Sequence, residues 1–155
     1  MKVALCTESV YPLYGVERRV YEMASRFKKY KIDVDLYSST PSNIYPHIKM
    51  KNVSLPTIIN PPKRNYAFCL KYWKNLYKEL LKGDYDIIDA NGHLPLIPSS
   101  VAAKFVRKPI IATIHDLYLN SWHGLYNMTG VFVGLPLESI MVKMPYTKII
   151  TINST

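Results

Sequence analysis

The sequence predicts an α/β fold in which a mostly parallel sheet carries helices on both of its faces. Short, strongly apolar segments of strand length recur along the chain, among them Lys2–Thr7, residues 85–90 and Ile110–Ile114. Segments with helical spacing of apolar residues separate them, as parallel strands require, because their connections must cross back over the sheet. The expected architecture is therefore Rossmann-like.

The first βαβ unit is predicted from residues 2 to 39. A buried strand over Lys2–Thr7 precedes a helix that opens at Val16 and repeats apolar residues at Val20 and Phe27. Residues 32–39 alternate Ile, Val and Leu with Asp33, Asp35 and Tyr37, which is typical of a second strand with one apolar face.

The rest of the chain continues the alternation after a long excursion. Prolines at 41, 46, 56, 61 and 62 exclude a long helix between 40 and 64, leaving short extended pieces near 53–55 and 57–59. A helix is predicted next over 66–82, ended by Gly83, and a strand over 85–90 with a turn at 91–93. A helix over 95–106, with Pro98 in its first turn, leads to a strand over 110–114. A loop to 128, a helix over 131–143 and a strand over 148–152 complete the chain.

Length and composition predict one folded domain over residues 1–155. Apolar residues make up 48% of the chain and charged residues 20%, the ordinary usage of globular proteins. Cys6 and Cys69 are far apart in sequence and are interpreted as reduced packing residues. No stretch has the length of a membrane span or of a signal-peptide core, so a cytoplasmic location is expected.

The net charge of +9 predicts attraction to phosphates, nucleic acid or anionic membrane. Part of the surplus forms a stripe on the helix over 66–82, next to Trp73 and Tyr77. This stripe is either a solvated helix face or a peripheral contact with an anionic membrane. Its members are Lys71, Lys74, Lys78 and Lys82.

Three loops are expected to converge at the carboxyl ends of the strands, where ligands bind in sheets of this kind. After the first strand comes Tyr14-Gly15-Val16-Glu17, a glycine-containing turn that leads into a helix and aims free backbone N–H groups at an anion. The other two loops contain Asn91 with His93 and His115 with Asp116. The histidines at 47, 93, 115 and 123 have no compact metal-ligand spacing, and no serine lies in a nucleophile-elbow pattern, so neither a metal site nor a triad is expected.

Four segments resemble the amino-terminal domain of family 4 (group 1) glycosyltransferases, retaining enzymes of the two-domain GT-B fold. They are the opening strand with Tyr11-Pro12 and Gly15-Val16-Glu17-Arg18, the helix at 20–24, the central strand at 85–92, and the strand at 109–117 that bears the family's active-site histidine. Residues 146–154 are similar to the segment before the interdomain linker, so the likeness spans the chain in the correct order. The chain departs from the family at two places. The family usually has two adjacent glycines where this chain has Tyr14-Gly15. The family's central strand commonly ends with histidines, near the positions at which this chain has Asp89 and Asn91.

The resemblance implies transfer of a sugar from a nucleotide-sugar donor to a sugar or lipid acceptor, with retained configuration and no metal or other cofactor. It implies that His115 lines the donor-sugar pocket, that Asp116 orients it, and that Gly15, Val16 and Glu17 face the donor phosphates; Asn91 and His93 lie near the substrate. The family's carboxyl-terminal donor domain is absent from these 155 residues, so the chain is expected to be the acceptor-side half and inactive alone.

Two alternatives stay open at this stage. The charge of +9 and the many aromatic residues suit a nucleic-acid-binding module, although the sequence contains no nucleic-acid signature. A noncatalytic domain that pairs with a separate donor-domain protein is the other. The donor domain is thus expected in cis or in trans.

Overall fold

A single parallel sheet of six strands organises the chain in a computed structural model, which describes residues 1–10, 15–40, 44–53, 66–115, 117 and 128–152. The strand order is β3-β2-β1-β4-β5-β6, and every neighbouring pair is parallel. The strands are β1 (Lys2–Thr7), β2 (Asp33–Ser38), β3 (Met50–Asn52), β4 (Ile87–Asn91), β5 (Ile110–Ile114) and β6 (Lys148–Thr151). The predicted Rossmann-like α/β architecture is confirmed.

The strand order reverses direction at β1, which lies between β2 and β4. β1 pairs with both neighbours along its length, with Ala4 opposite Asp35 on one side and opposite Ile88 on the other. In open sheets of this topology the loops after the two central strands diverge and leave a crevice at the carboxyl edge. The crevice here lies beyond β1 and β4.

One face of the sheet is covered by α1 (Gly15–Phe27), which continues into a 3₁₀ turn at Lys28–Tyr30. Val20 and Ala24 are buried against apolar side chains of β1 and β2, including Leu5 and Leu36. The turn ends at Lys31, whose φ of 57° is left-handed. The helix predicted after the first strand therefore forms, and it begins one residue earlier than expected.

The other face is covered by α2 (Tyr66–Lys82), α3 (His93–Val106) and α4 (Met128–Val142). Tyr72, Leu76 and Leu80, spaced four residues apart on one side of α2, are fully buried against the sheet. The predicted lysine stripe lies on the solvent side of α2. None of the helices in the described part of the chain is long and apolar enough to cross a bilayer.

The start of α3 corrects the sequence prediction. The helix begins at His93 rather than at residue 95, which places Pro98 in its second turn instead of its first. A proline has no N–H to donate to the carbonyl four residues earlier, and its ring pushes that carbonyl outward. The indole N–H of Trp73 on α2 donates to this Leu94 carbonyl at 2.9 Å, which satisfies the acceptor that Pro98 leaves open.

Two of the residues that alternate with the apolar ones in β2 lie in the interior, which the alternation did not indicate. Asp35 and Tyr37 are both fully buried. The Asp35 carboxylate is held by Lys49 at 2.6 Å, by Lys51 at 3.0 Å and by the Tyr85 hydroxyl at 2.9 Å. Lys2 lies 3.6 Å from the same carboxylate, so three ammonium groups surround one buried anion.

Burial disfavours the ionised form of Asp35, but the hydrogen bonds from Lys49, Lys51 and Tyr85 outweigh it and lower the pKa of Asp35 to about 2. The pKa of Lys49 is raised, chiefly by the hydrogen bond to Asp35. A carboxylate in a strand interior is thus compatible with burial because Lys2 of β1, Lys51 of β3 and Lys49, directly before β3, meet it there.

The remaining predictions differ from the structure mainly at their ends. The strand expected over 85–90 is β4, and Tyr85 lies outside it. The extended pieces expected near 53–55 and 57–59 fall largely on residues 54–65, which lie outside the described residues. Cys6 is buried and Cys69 half-buried, and both are free thiols as predicted.

Candidate functional site

The amino-terminal turn of α1 and the end of β4 meet at the carboxyl edge of the sheet. A Cβ atom placed on Gly92, the residue that follows β4, would lie 4.0 Å from the Val16 side chain. The two loops predicted to converge are therefore in contact distance at the point where the strand order reverses.

The backbone conformation at position 92 requires a glycine. Its φ of 83° and ψ of 176° belong to a region that side-chain-bearing residues rarely adopt. Its N–H donates to the Thr113 carbonyl at 3.0 Å, so the chain leaves β4 while still attached to β5. This turn allows α3 to begin at His93, directly beside the crevice.

Gly15, the first residue of α1, faces open space. A Cβ atom there would meet no described residue within 4 Å, and its φ is not in the left-handed region. Neither packing nor backbone strain in the described residues therefore demands a glycine. The free N–H groups of the first helical turn and the positive end of the helix dipole lie at this point, which is the local arrangement that binds anions.

A polar network links α1 to the end of β4. The Arg19 guanidinium donates to the Asn91 amide oxygen at 2.5 Å, and the Asn91 amide nitrogen donates to the Asp89 carboxylate at 3.0 Å. Burial raises the pKa of Asp89 to about 6, while the charge of Arg19 and hydrogen bonds from Asn91 and Thr113 oppose that rise. Arg19 thus adds a cation one turn after Gly15.

His93 lies at the first position of α3 and contacts α4. Its Nε2 is 3.2 Å from the carboxylate of Glu138, which is 1% exposed. The predicted substrate residue is therefore at the crevice edge, and it also ties α3 to α4. Glu138 belongs to α4, a helix in which the sequence analysis predicted no site residue.

His115 and Glu17 occupy the positions that the sequence indicated. His115 follows β5 directly and is half-buried, and Glu17 is half-buried in the first turn of α1. Asp116 lies outside the described residues, as does Tyr14. The structure thus brings the first turn of α1, Asn91 and His93 to the edge of the sheet at which β5 also ends.

Sequence reasoning missed Arg19, Asp89 and Glu138 as members of this edge. One signal was available: a carboxylate inside an apolar strand, as at Asp89, needs a cation or amide partner nearby. Nothing comparable marks Glu138 in the sequence. Within the described ranges, no three His, Cys, Asp or Glu side chains are grouped as metal ligands.

The chain also matches a known protein family. The family model described as Glycosyltransferase Family 4 matches residues 14–144. No curated protein is significantly similar in sequence to the chain.

Among solved structures, the chain is similar to HepE from Anabaena, solved in complex with UDP-glucose, with 14% identity and a TM-score of 0.60 over 98% of this chain and 43% of that one. It is also similar to sucrose-phosphate synthase from Thermosynechococcus elongatus, with 14% identity and a TM-score of 0.63 over 96% of this chain and 41% of the other. MurG from Acinetobacter baumannii matches at 11% identity and a TM-score of 0.54, over 99% and 46%.

At these identities the solved structures show a common fold, and the chain spans less than half of each one's length. The family match covers most of the chain and includes Gly15, Asn91, His93 and His115. The chain therefore belongs to Glycosyltransferase Family 4.

Proposed function

We propose that this chain is the amino-terminal, acceptor-side half of a GT-B glycosyltransferase that moves a sugar from a nucleotide-sugar donor to an acceptor with retention. The family match and the fold shared with sugar-transferring enzymes support this role, as does a span of under half of their length. UDP-glucose in the HepE structure suggests the chemical class of the donor. The observation that carries the proposal is the open space at Gly15 beside the carboxyl edge.

The chemistry follows from where charge appears. As the bond between sugar and diphosphate breaks, negative charge builds on the leaving diphosphate, and preorganised N–H groups stabilise it. The first turn of α1 supplies such donors, with Val16 and Glu17 forming its surface and Arg19 one turn further on. His115 lines the donor-sugar pocket, Asp116 orients it, and Asn91 and His93 contact substrate at the end of β4.

In this scheme turnover requires a second domain, and that domain supplies most contacts to the nucleotide. The pure 155-residue chain is expected to transfer no sugar, whereas the chain joined to or mixed with a family donor domain transfers it with the anomeric configuration kept. Product configuration is read by NMR. Turnover by the chain alone, or an inverted product, would contradict the proposal.

The open space at Gly15 gives a direct test. In the two-domain enzyme, Gly15→Val is expected to lower kcat/KM for the nucleotide sugar by about 100-fold, because the new side chain keeps the diphosphate from the helix N–H groups. Thermal unfolding controls for packing: stability should stay within about 0.5 kcal/mol, since the side chain enters empty space. Full activity in Gly15→Val would remove the phosphate role from this turn.

A second role, contact with an anionic membrane, is favoured by the outer surface of α2 and α3. Phe105 is 69% exposed and Leu70 is 63% exposed, and the Phe105 ring packs edge-on to Tyr77 at 6.2 Å between centroids. Exposed apolar groups among lysines suit the boundary between lipid headgroups and acyl chains. The lysines are Lys71, Lys74, Lys78, Lys82 and Lys104.

Vesicle sedimentation tests this contact. The chain is expected to sediment with vesicles that contain phosphatidylglycerol and not with neutral ones, and K71Q/K74Q/K78Q/K82Q is expected to lose most of the binding, at about 1 kcal/mol per lysine. The control K28Q/K29Q/K31Q/K143Q removes four positive charges elsewhere. Equal losses in the two variants would mean that only net charge matters and would exclude a specific face.

A further inference from the structure

A groove of about 380 Å³ lies at the opposite edge of the sheet, at the amino end of β2. It is bounded by the end of α1 and its 3₁₀ turn on one side and by residues 47–49 on the other. Ala24, Val34 and Ile48 give it an apolar floor. Its volume falls within the roughly 300–1,000 Å³ of small-molecule sites.

The groove is cationic. Lys28, Lys31 and Lys49 line it together with His47, and Asp33 is the one carboxylate among the described lining residues. Lys28 begins the 3₁₀ turn and Lys31 caps it, and both residues line the groove. The left-handed conformation of Lys31, with its N–H bonded to the Lys28 carbonyl at 3.1 Å, fixes this tight turn.

Lys49 completes the cationic wall from the other side. Its ammonium group is anchored 2.6 Å from the buried Asp35 carboxylate, which Lys2 and Lys51 share, so three ammonium groups there face one anion. Among the described residues that line the groove, three lysines face one aspartate, Asp33, so the lining is positively charged. A phosphate bound in the groove would therefore be attracted by the lysines that line it.

An aromatic cluster forms the rim beside His47. The Tyr21 hydroxyl lies 3.3 Å from His47 Nε2, and the Tyr21 and Tyr45 rings are 4.7 Å apart. Ring faces of this kind pack against sugars or bases, while the ammonium groups suit a phosphate. The groove thus combines an apolar floor, an aromatic rim that suits a ring and lysine ammonium groups that suit a phosphate.

We propose that this groove binds a small phosphate ester that carries a ring, of the size of a sugar phosphate or a mononucleotide. The inference rests on the groove alone and is independent of the proposed sugar transfer. The groove and the Gly15 turn lie at opposite ends of α1, since Ala24 and Lys28 line the groove and Gly15 begins the helix. A ligand here therefore occupies a second site rather than part of the crevice.

Titration calorimetry on the 155-residue chain tests the proposal, with glucose 6-phosphate and uridine monophosphate as probes and glucose and uridine as uncharged controls. We expect one of the esters to bind with a stoichiometry of one, and neither uncharged compound to bind. K28Q/K31Q is expected to weaken binding by about tenfold, as loss of two partly exposed charge contacts implies. The charge-matched K71Q/K74Q should bind as the unmodified chain does.

Amide shifts in ¹H–¹⁵N NMR spectra locate the ester. Shifts at Lys31, His47 and Ile48 support the groove, and shifts confined to Gly15, Val16 and Gly92 place the ligand in the crevice and overturn the proposal. Equal weakening by the two double variants, or no binding of either ester at millimolar concentration, overturns it as well. Preference for one ester over the other identifies which ring the rim selects.

Discussion

Replacing Asp35 by Asn is expected to lower the free energy of unfolding by about 3 kcal/mol, because it leaves ammonium groups of three lysines around a buried amide. The neutral amide oxygen is also a weaker acceptor than the carboxylate for the hydrogen bonds from Lys49, Lys51 and Tyr85. Urea denaturation near pH 7 measures the loss. Asp33→Asn is the matched control, since it removes an exposed carboxylate from the same strand, and it should change stability by less than about 0.5 kcal/mol.

The effect has a defined pH dependence. Asp35 has a pKa of about 2 in the folded protein against 3.8 as its ordinary value, so its contribution is fully present above the ordinary pKa and lost as pH falls through the folded pKa. The stability difference between the unmodified chain and Asp35→Asn should therefore shrink between about pH 4 and pH 2. A difference that does not change over this interval would show that ionised Asp35 is not what stabilises the cluster.

Leu76→Ala is expected to lower stability by about 3 kcal/mol, because Leu76 is fully buried where α2 packs on the sheet and its truncation leaves a cavity. Neighbouring Tyr72 and Leu80 are held by the helix and cannot collapse fully into the space. Chemical denaturation followed by circular dichroism measures the loss.

Leu70→Ala makes the same chemical change on the same helix at a side chain that is 63% exposed. It is expected to change stability by less than about 0.5 kcal/mol. Similar losses in the two variants would mean that helix propensity rather than burial controls the effect of Leu76.

Apolar periodicity predicted the sheet and its helices well, because strands that are buried on both faces stand out as short apolar runs. Interactions between elements that are far apart in sequence escaped it. The alternation in β2 did not reveal that Asp35 is buried, because lysines at β1 and β3 and the Tyr85 hydroxyl reach it from elsewhere in the chain. The start of α3 was placed too late because Gly92 admits a backbone conformation that no sequence pattern announces.

The sequence predicted which loops form the candidate site but not all of the side chains that interact there. Gly15, Asn91 and His93 could be placed at one edge because the ends of parallel strands meet there. Arg19 could not, since the partner that draws it inward, Asn91, lies 72 residues away. Glu138 joins the edge only through the packing of α4 near α3, which depends on the whole fold.

The indole of Trp73 bonded to the Leu94 carbonyl sets the register between α2 and α3. Apolar contacts alone would let two helices slide past each other by a fraction of a turn at little cost, whereas a hydrogen-bond donor and its acceptor match at one offset only. The outer lysines of α2 thus keep a fixed height relative to His93 at the start of α3. A membrane plane that contacts those lysines, as proposed above, would consequently stand at a constant distance from the crevice. Pro98 contributes to this spacing because it leaves the Leu94 carbonyl open for Trp73.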